Sequence, residues 1–259
     1  MRLNIDVSLD YNFAEPTDVL LTIEAAQMVD QHIVDRNLTI AGSAQVLTVP
    51  GGSDVGLRNW TSAAAGQFLV TYNATVDVDR TLPVIADLKA SPLPTLPAEV
   101  IPFLWPSRYC EADKLRSFVA AEFPDLKGGV MVDAILGWVS DHMSYCPGSS
   151  DATTTAVDTM VARQGVCRDY AHLTAALLRA TDIPTRLVSV YALDLDPPDF
   201  HAVVEVWLED AWHLVDASHL APIETMVRIA AGRDATDIAF MTAFGTAELN
   251  AQNVTVSKG

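Results

Sequence analysis

The sequence predicts an α+β protein in two parts, an N-terminal antiparallel β-sandwich followed by helices packed on a second antiparallel sheet. Three observations predict it. Up to about Val78 apolar residues alternate with polar ones; six of the fourteen prolines lie between Pro83 and Pro106; and beyond Pro106 the apolar spacing turns helical before alternating again after Pro184.

In the first part Leu3, Ile5, Val7 and Leu9 share one side of an extended strand. Leu20-Leu21-Thr22-Ile23 and Phe68-Leu69-Val70-Thr71-Tyr72 read as further strands, broken by turns rich in Asp, Asn and Gly. Residues 1–85 are therefore expected to form the sandwich. The proline-rich run 86–107 is read as a linker, because each proline lacks a backbone donor and biases its predecessor away from helix. Residues 108–259 are expected to form the second domain. Leu115, Phe118 and Val119 fall on one helical face, as do Ile135, Trp138, Val139 and His142, and then Val157, Met160 and Val161. Tyr170, Leu173 and Leu177 continue the spacing just after Cys167, and Asp182-Ile183-Pro184 stops that helix. Alternation returns through Leu187–Leu193, Ala202–Leu208 and Trp212–Ala217.

Composition bounds the function. Half of the 259 residues are hydrophobic and 19% are charged, so the disorder signature is absent. A net charge of −17 repels phosphate backbones and anionic membrane surfaces, which argues against nucleic acid and membrane as partners. The N-terminal decapeptide carries acids in place of the unbroken apolar stretch of a secretory signal, and no run approaches the roughly 18 apolar residues of a membrane span. The expectation is a soluble cytoplasmic protein. Three cysteines, Cys110, Cys146 and Cys167, allow at most one disulfide and leave a thiol over.

Cys167 opens an amphipathic helix. A thiol in the first turn sits at the positive end of the helix dipole, which favours the thiolate, and free backbone N–H groups there could stabilise an oxyanion. A base is found downstream. If Glu209 and Asp210 form a two-residue turn, Leu208 lies opposite Ala211 and Val203 opposite Asp216, so His201 and Asp216 become diagonal neighbours on one face. An odd-length turn would put Asp216 on the other face. Cys167, His201 and Asp216 thus offer a nucleophile, a base and a carboxylate to orient the base. Glu205 is the rival carboxylate on that face; Asp216 is preferred because it ends its strand, whereas Glu205 fits a solvated face equally well.

Gly165-Val166-Cys167-Arg168-Asp169-Tyr170-Ala171-His172, Pro197-Pro198-Asp199-Phe200-His201-Ala202 and Trp212-His213-Leu214-Val215-Asp216 resemble the cysteine, histidine and aspartate blocks of bacterial transglutaminase-like proteins, many of them labelled cysteine proteases. The resemblance extends through Pro106–Tyr109 and Val227–Asp234. It implies a papain-like transglutaminase core, with Cys167 as nucleophile, His201 as base and Asp216 as orienter. It also implies thioester chemistry on a peptide, protein or small amide substrate, with transfer of the acyl group to water or to an amine. Hydrolysis is the simpler outcome, since water needs no acceptor site. The rival reading is a non-catalytic binding or scaffold protein that retains the fold. Ala217-Ser218 stands where relatives commonly carry Pro-Thr, and Arg168 where animal transglutaminases carry Trp, which weighs against protein crosslinking.

Tyr145 and Gln164 are the candidate second oxyanion donors. His172, five residues after Cys167, is rotated roughly 140° around the helix and is read as a structural histidine. His142 with Cys146, and His213 with Asp216 and His219, lack a completing ligand pair, so no metal is expected, and no cofactor or calcium loop is recognised. Cys110 and Cys146 are read as packing residues. Arg228, Arg233, Asp234 and Asp237 could bind a carboxylate substrate, but the preferred expectation is a buried ion-pair network bracing the last helix.

Overall fold

The computed structural model describes residues 1–41, 43–51 and 55–259. The chain begins with strand β1 (Arg2–Phe13), in which Leu3, Ile5, Val7, Leu9, Tyr11 and Phe13 are all buried and the residues between them face outward. Strands β2 (Thr17–Leu21), β3 (Gln31–Ala41), β4 (Ser43–Val49), β5 (Arg58–Ala63) and β6 (Gly66–Val78) come after it. Strand β6 buries Phe68, Val70, Tyr72, Ala74, Val76 and Val78 on the same alternation, and Phe13 meets Phe68 edge-on at 5.5 Å. Each large apolar side chain buried this way contributes about 1.5–3 kcal/mol, which is why the register holds.

The proline-rich segment forms 3₁₀ turns at Ile85–Asp87, Leu93–Thr95 and Ile101–Leu104, and backbone hydrogen bonds fasten it to the C-terminal part of the chain. The Gly129 N–H donates to Leu88 O at 2.8 Å and the Glu209 N–H to Lys89 O at 3.2 Å. A Cβ on Gly129 would lie 1.6 Å from the Ile85 carbonyl oxygen, so only glycine admits this approach.

Helices α1 (Ala112–Glu122) and α2 (Gly128–His142) carry most of the expected faces: Leu115 and Val119, then Ile135, Trp138 and Val139, are buried, Phe118 is half-buried, and His142 at the end of α2 is exposed. Strand β7 (Ser144–Tyr145), helix α3 (Ala156–Ala162) and strand β8 (Gln164–Gly165) come next, β7 and β8 pairing in parallel. Helix α3 differs from expectation in its face: Ala156 and Thr159 are buried, while Val161 is 80% exposed. Helix α4 (Cys167–Ala180) is the central helix, packed on α1, α2 and α3 and on the sheet beyond. Asp182 at φ 62°, with Pro184 close behind, ends it. Arg179, wholly buried, donates to the carbonyls of Thr185, Trp105 and Arg233 and so ties its C-terminal end to three segments.

Strands β9 (Thr185–Tyr191), β10 (His201–Leu208), β11 (Ala211–Val215) and β12 (Val227–Gly232) form an antiparallel sheet in the order β11-β10-β9-β12. The one-turn helix α5 (Ala235–Ile238) is capped by Asp234, whose carboxylate accepts the Thr236 N–H. The expected buried network around this helix is in fact two groups. Arg233 and Asp237 pair at 2.9 Å with Arg233 largely exposed, whereas Arg228 belongs to a buried cluster with Glu205 and Asp30.

The end of the chain departs from the expected second domain at 108–259. Strands β13 (Met241–Ala243) and β14 (Ala247–Lys258) return to the N-terminal part. One sheet of the sandwich is β14-β1-β6-β3 and the other β13-β2-β5-β4, with β14 paired along β1 from Ala247 opposite Phe13 to Lys258 opposite Leu3. The physical reason is the edge of β1: without β14 its backbone groups would be unpaired on one side.

Candidate active site

Cys167 is the first residue of α4, preceded by Val166 in extended conformation. The Asp169 carboxylate accepts the Val166 N–H at 2.8 Å and the Ser150 hydroxyl at 2.5 Å, which places a negative charge in the first turn and fixes the entry into the helix. Arg168 donates to Asp151 O at 2.7 Å and pairs with Asp169 at 3.1 Å, so it braces the loop beside the helix start.

The hairpin carries the other two residues. Glu209 and Asp210 both have positive φ, 48° and 61°, as a two-residue I′ turn demands, and Leu208 lies opposite Ala211 and Val204 opposite Val215. This register brings His201, 2% exposed, to Asp216, 6% exposed, with Nε2 donating to Oδ2 at 2.9 Å. The Ser218 backbone N–H donates to Asp216 Oδ1 at 2.8 Å and its hydroxyl to Oδ2 at 2.9 Å, so three donors hold the carboxylate. The other ring nitrogen, Nδ1, has no hydrogen-bond partner among the described residues. Burial disfavours the charged ring, but the Asp216 carboxylate and the adjacent Cys167 thiol outweigh it and push His201 up to about 9.

The structure thus brings Cys167, His201 and Asp216 together. Glu205 is elsewhere: it is wholly buried and accepts from Arg186 Nε at 2.7 Å and Arg228 Nε at 2.6 Å. It is neither the partner of the imidazole nor the solvated residue that its alternation allowed.

Tyr145 reaches the site through the β7–β8 pair, which sets it opposite Gly165. Its hydroxyl lies beside Cys167; burial and the nearby Cys167 side chain push it up, and the Cys167 backbone N–H opposes them. Gln164 differs: its side chain is exposed and hydrogen-bonds nothing among the described residues. His172 is buried, accepts the Ala235 N–H at 3.1 Å, stacks on Tyr109 and is pushed down to about 4, burial being the main cause. It serves the fold. His142 and His213 each bond a backbone carbonyl, Trp138 O and Leu208 O, and no group of three or more His, Cys, Asp or Glu is placed to hold a metal among the described residues. Cys110 is buried, which pushes its thiol up to about 11.

Two supporting residues escape sequence reading. Ser218 is visible there only as a departure from the family pattern, although Asp with Ser two residues on is an Asx-turn signal. Asp199 accepts from the Phe200 N–H at 2.7 Å and from Gln252 of β14 at 2.5 Å, and burial raises it. The sandwich therefore steadies the loop that leads into His201, as does the Tyr191 hydroxyl donating to Ile23 O at 2.6 Å.

A thiol at a helix start, a buried imidazole and a carboxylate on the adjacent strand form a constellation that is recognised by geometry and recurs on unrelated folds, so the class is set by the fold that carries it. Residues 117–217, which contain all three, match the transglutaminase-like superfamily. The chain also superposes, at a TM-score of 0.92 and 34% identity, on the crystal structure of a putative cysteine protease from Cytophaga hutchinsonii, covering 100% of this chain and 90% of that one. It belongs to the transglutaminase-like superfamily. Curated relatives are similar over a shorter stretch. The uncharacterized protein ML0607 of Mycobacterium leprae is 30% identical over 119 residues, 42% of this chain and 42% of the relative. The uncharacterized protein Rv2569c of Mycobacterium tuberculosis is 33% identical over 103 residues, 39% and 32% of the two. The chain thus spans less than half the length of these curated relatives.

Proposed function

We propose that this protein is a thiol-dependent amide hydrolase that works through Cys167, His201 and Asp216. The observation that carries the reading is the buried imidazole that donates to a fixed carboxylate beside the Cys167 thiol, with its titration raised to about 9. At neutral pH the ring is then protonated, and an imidazolium beside Cys167 favours the thiolate as nucleophile. The Cys167 thiolate attacks the amide carbonyl carbon, the C=O electrons move to oxygen, and the oxyanion meets the Cys167 backbone N–H and the Tyr145 hydroxyl. Collapse expels the amine, which takes its proton from His201 Nδ1, and leaves a thioester on Cys167. His201, now neutral, takes a proton from water as the hydroxide attacks the thioester, and the acid leaves with thiolate and imidazolium restored. A primary amine in place of water would make the same site an acyltransferase. The description of the Cytophaga hutchinsonii neighbour as a putative cysteine protease supports a peptide or protein substrate.

A panel of peptide and glutamine amides, assayed with and without a primary amine, tests this. Wild type is expected to release amine or ammonia and Cys167→Ala to release none at an unchanged Tm. Turnover that survives Cys167→Ala, or its absence from wild type across the panel, sinks the reading.

A further inference from the structure

Asp199 stands two residues before His201, in the loop that leads into β10. Its neighbour Phe200 pins that loop, stacking on Phe240 at 4.4 Å and meeting the Tyr191 ring at 5.5 Å. The two hydrogen bonds to the Asp199 carboxylate, from the Phe200 N–H and from Gln252, both fall on Oδ1. Oδ2 accepts from no donor among the described residues, and the residue opens to solvent. The surrounding protein desolvates the carboxylate in part and raises it; the two hydrogen bonds oppose this, and no cation does.

This carboxylate belongs to the rim of the site. The Tyr145 hydroxyl lies beside Cys167, and the Asp199 carboxylate acts on it as the Cys167 side chain does. Asp199 acts on Tyr11 of β1 as well, so it sits where the sandwich meets the site. The cations nearby are already taken up. Arg168 is held by Asp169, the Ser150 hydroxyl and the Asp151 carbonyl, and His201 faces Asp216 at 2.9 Å and the Cys167 side chain. Asp194 and Asp196 of the same loop are exposed and add charge of the same sign. An unpaired carboxylate at a partly desolvated rim attracts a cation more strongly than one in open water.

We infer that Asp199 selects the substrate: the site takes an amide that carries an ammonium group close to the scissile carbonyl, and Asp199 Oδ2 receives that group. This rests on the thiol-dependent reading above and names the substrate class for the same site. With Oδ1 occupied, a single oxygen is left to accept, which suits the compact charge of an ammonium better than the two-toothed fork of a guanidinium.

Two readouts on the full chain test the inference, the first independent of turnover. Cationic and anionic methanethiosulfonates of similar size are allowed to modify wild type, Asp199→Asn, Asp199→Glu and Asp35→Asn, and peptide mapping follows Cys167. Asn keeps an acceptor for the Phe200 N–H but removes the charge, Glu retains the charge, and Asp35 is exposed on β3, at the opposite edge of its sheet from β14. The ratio of cationic to anionic rates at Cys167 is expected to fall at least fivefold in Asp199→Asn and less than about twofold in Asp199→Glu and Asp35→Asn. In the second readout, kcat/KM of wild type should favour acetyl-lysine amide over the norleucine and glutamate amides by at least tenfold, and Asp199→Asn should erase this. Norleucine amide with its amino group free shows whether an α-ammonium serves in place of the lysine side chain. A ratio unchanged in Asp199→Asn, an equal fall in Asp35→Asn, or a lysine preference that survives Asp199→Asn would overturn the inference. Turnover of no amide, with the ratio shift intact, would instead overturn the catalytic reading and leave the capture of cations by Asp199 standing.

Discussion

Replacing Asp216 by Asn in a Cys167→Ala background should invert the way stability depends on pH. His201 rises from 6.5 to about 9 in the folded protein, worth roughly 3 kcal/mol at about 1.4 kcal/mol per pKa unit. Cys167→Ala removes the thiol, both its own titration and its contribution to the imidazole. Asp216, the larger of the two influences that raise the ring, then leaves the greater part of this. Because the folded pKa still lies above the unfolded one, this stability is fully present below pH 6.5 and is lost as pH rises through the variant's folded pKa, which lies below 9 once the thiol is gone. With Asn at 216 only burial acts on the ring, the folded pKa falls below 6.5, and stability should instead rise with pH up to about 6.5 and then level off. Urea unfolding of the single and double variants at half-unit steps from pH 5 to 9.5 measures both curves, and the His201 ring resonances in NMR give the two pKa values directly. Parallel curves for the two variants would refute the reasoning, since they would mean that Asp216 does not bias the protonation of His201.

The contacts around the site set three further outcomes. Ser218→Ala removes one of three donors to Asp216 and should cost about 1 kcal/mol of stability and roughly tenfold in kcat, read by thermal unfolding and amide turnover. Tyr145→Phe should lower kcat by about 10²-fold with Tm unchanged, because the ring is 39% exposed and only its hydroxyl faces Cys167; an unchanged kcat would remove Tyr145 from the oxyanion site. Glu205→Gln leaves Arg186 and Arg228 short of a buried counter-charge and should cost about 3–5 kcal/mol in urea unfolding, while the His201 titration stays in place.

The site is legible in the sequence because it rests on local rules. A Glu-Asp turn between two alternating strands sets parity, and parity alone separates Asp216 from the opposite face; the register is then set by Leu208 and Ala211. Helix α4 announces itself by its spacing and by the Asp182–Pro184 stop. The features that sequence does not reveal depend on distant partners. Strand β14 has few apolar residues, Val254 alone being fully buried, so its alternation is faint and its place beside β1 is set by pairing across more than two hundred residues. The two-residue strands β7 and β8 are too short to carry a period, yet they bring Tyr145 to Cys167. Glu205 cannot be told from a surface carboxylate until Arg186 on β9 and Arg228 on β12 beyond it are seen beside it.

The identity of the nucleophile is tested most directly by limited alkylation with iodoacetamide at neutral pH and subsequent peptide mapping. Cys167 heads a helix beside a charged imidazole, whereas Cys110 is buried with its thiol raised to about 11 and Cys146 precedes a turn instead of heading a helix. The account predicts that the modification accumulates on Cys167 first and slows markedly in His201→Ala. Faster labelling of Cys146 or Cys110, or a Cys167 rate indifferent to the loss of His201, would contradict it.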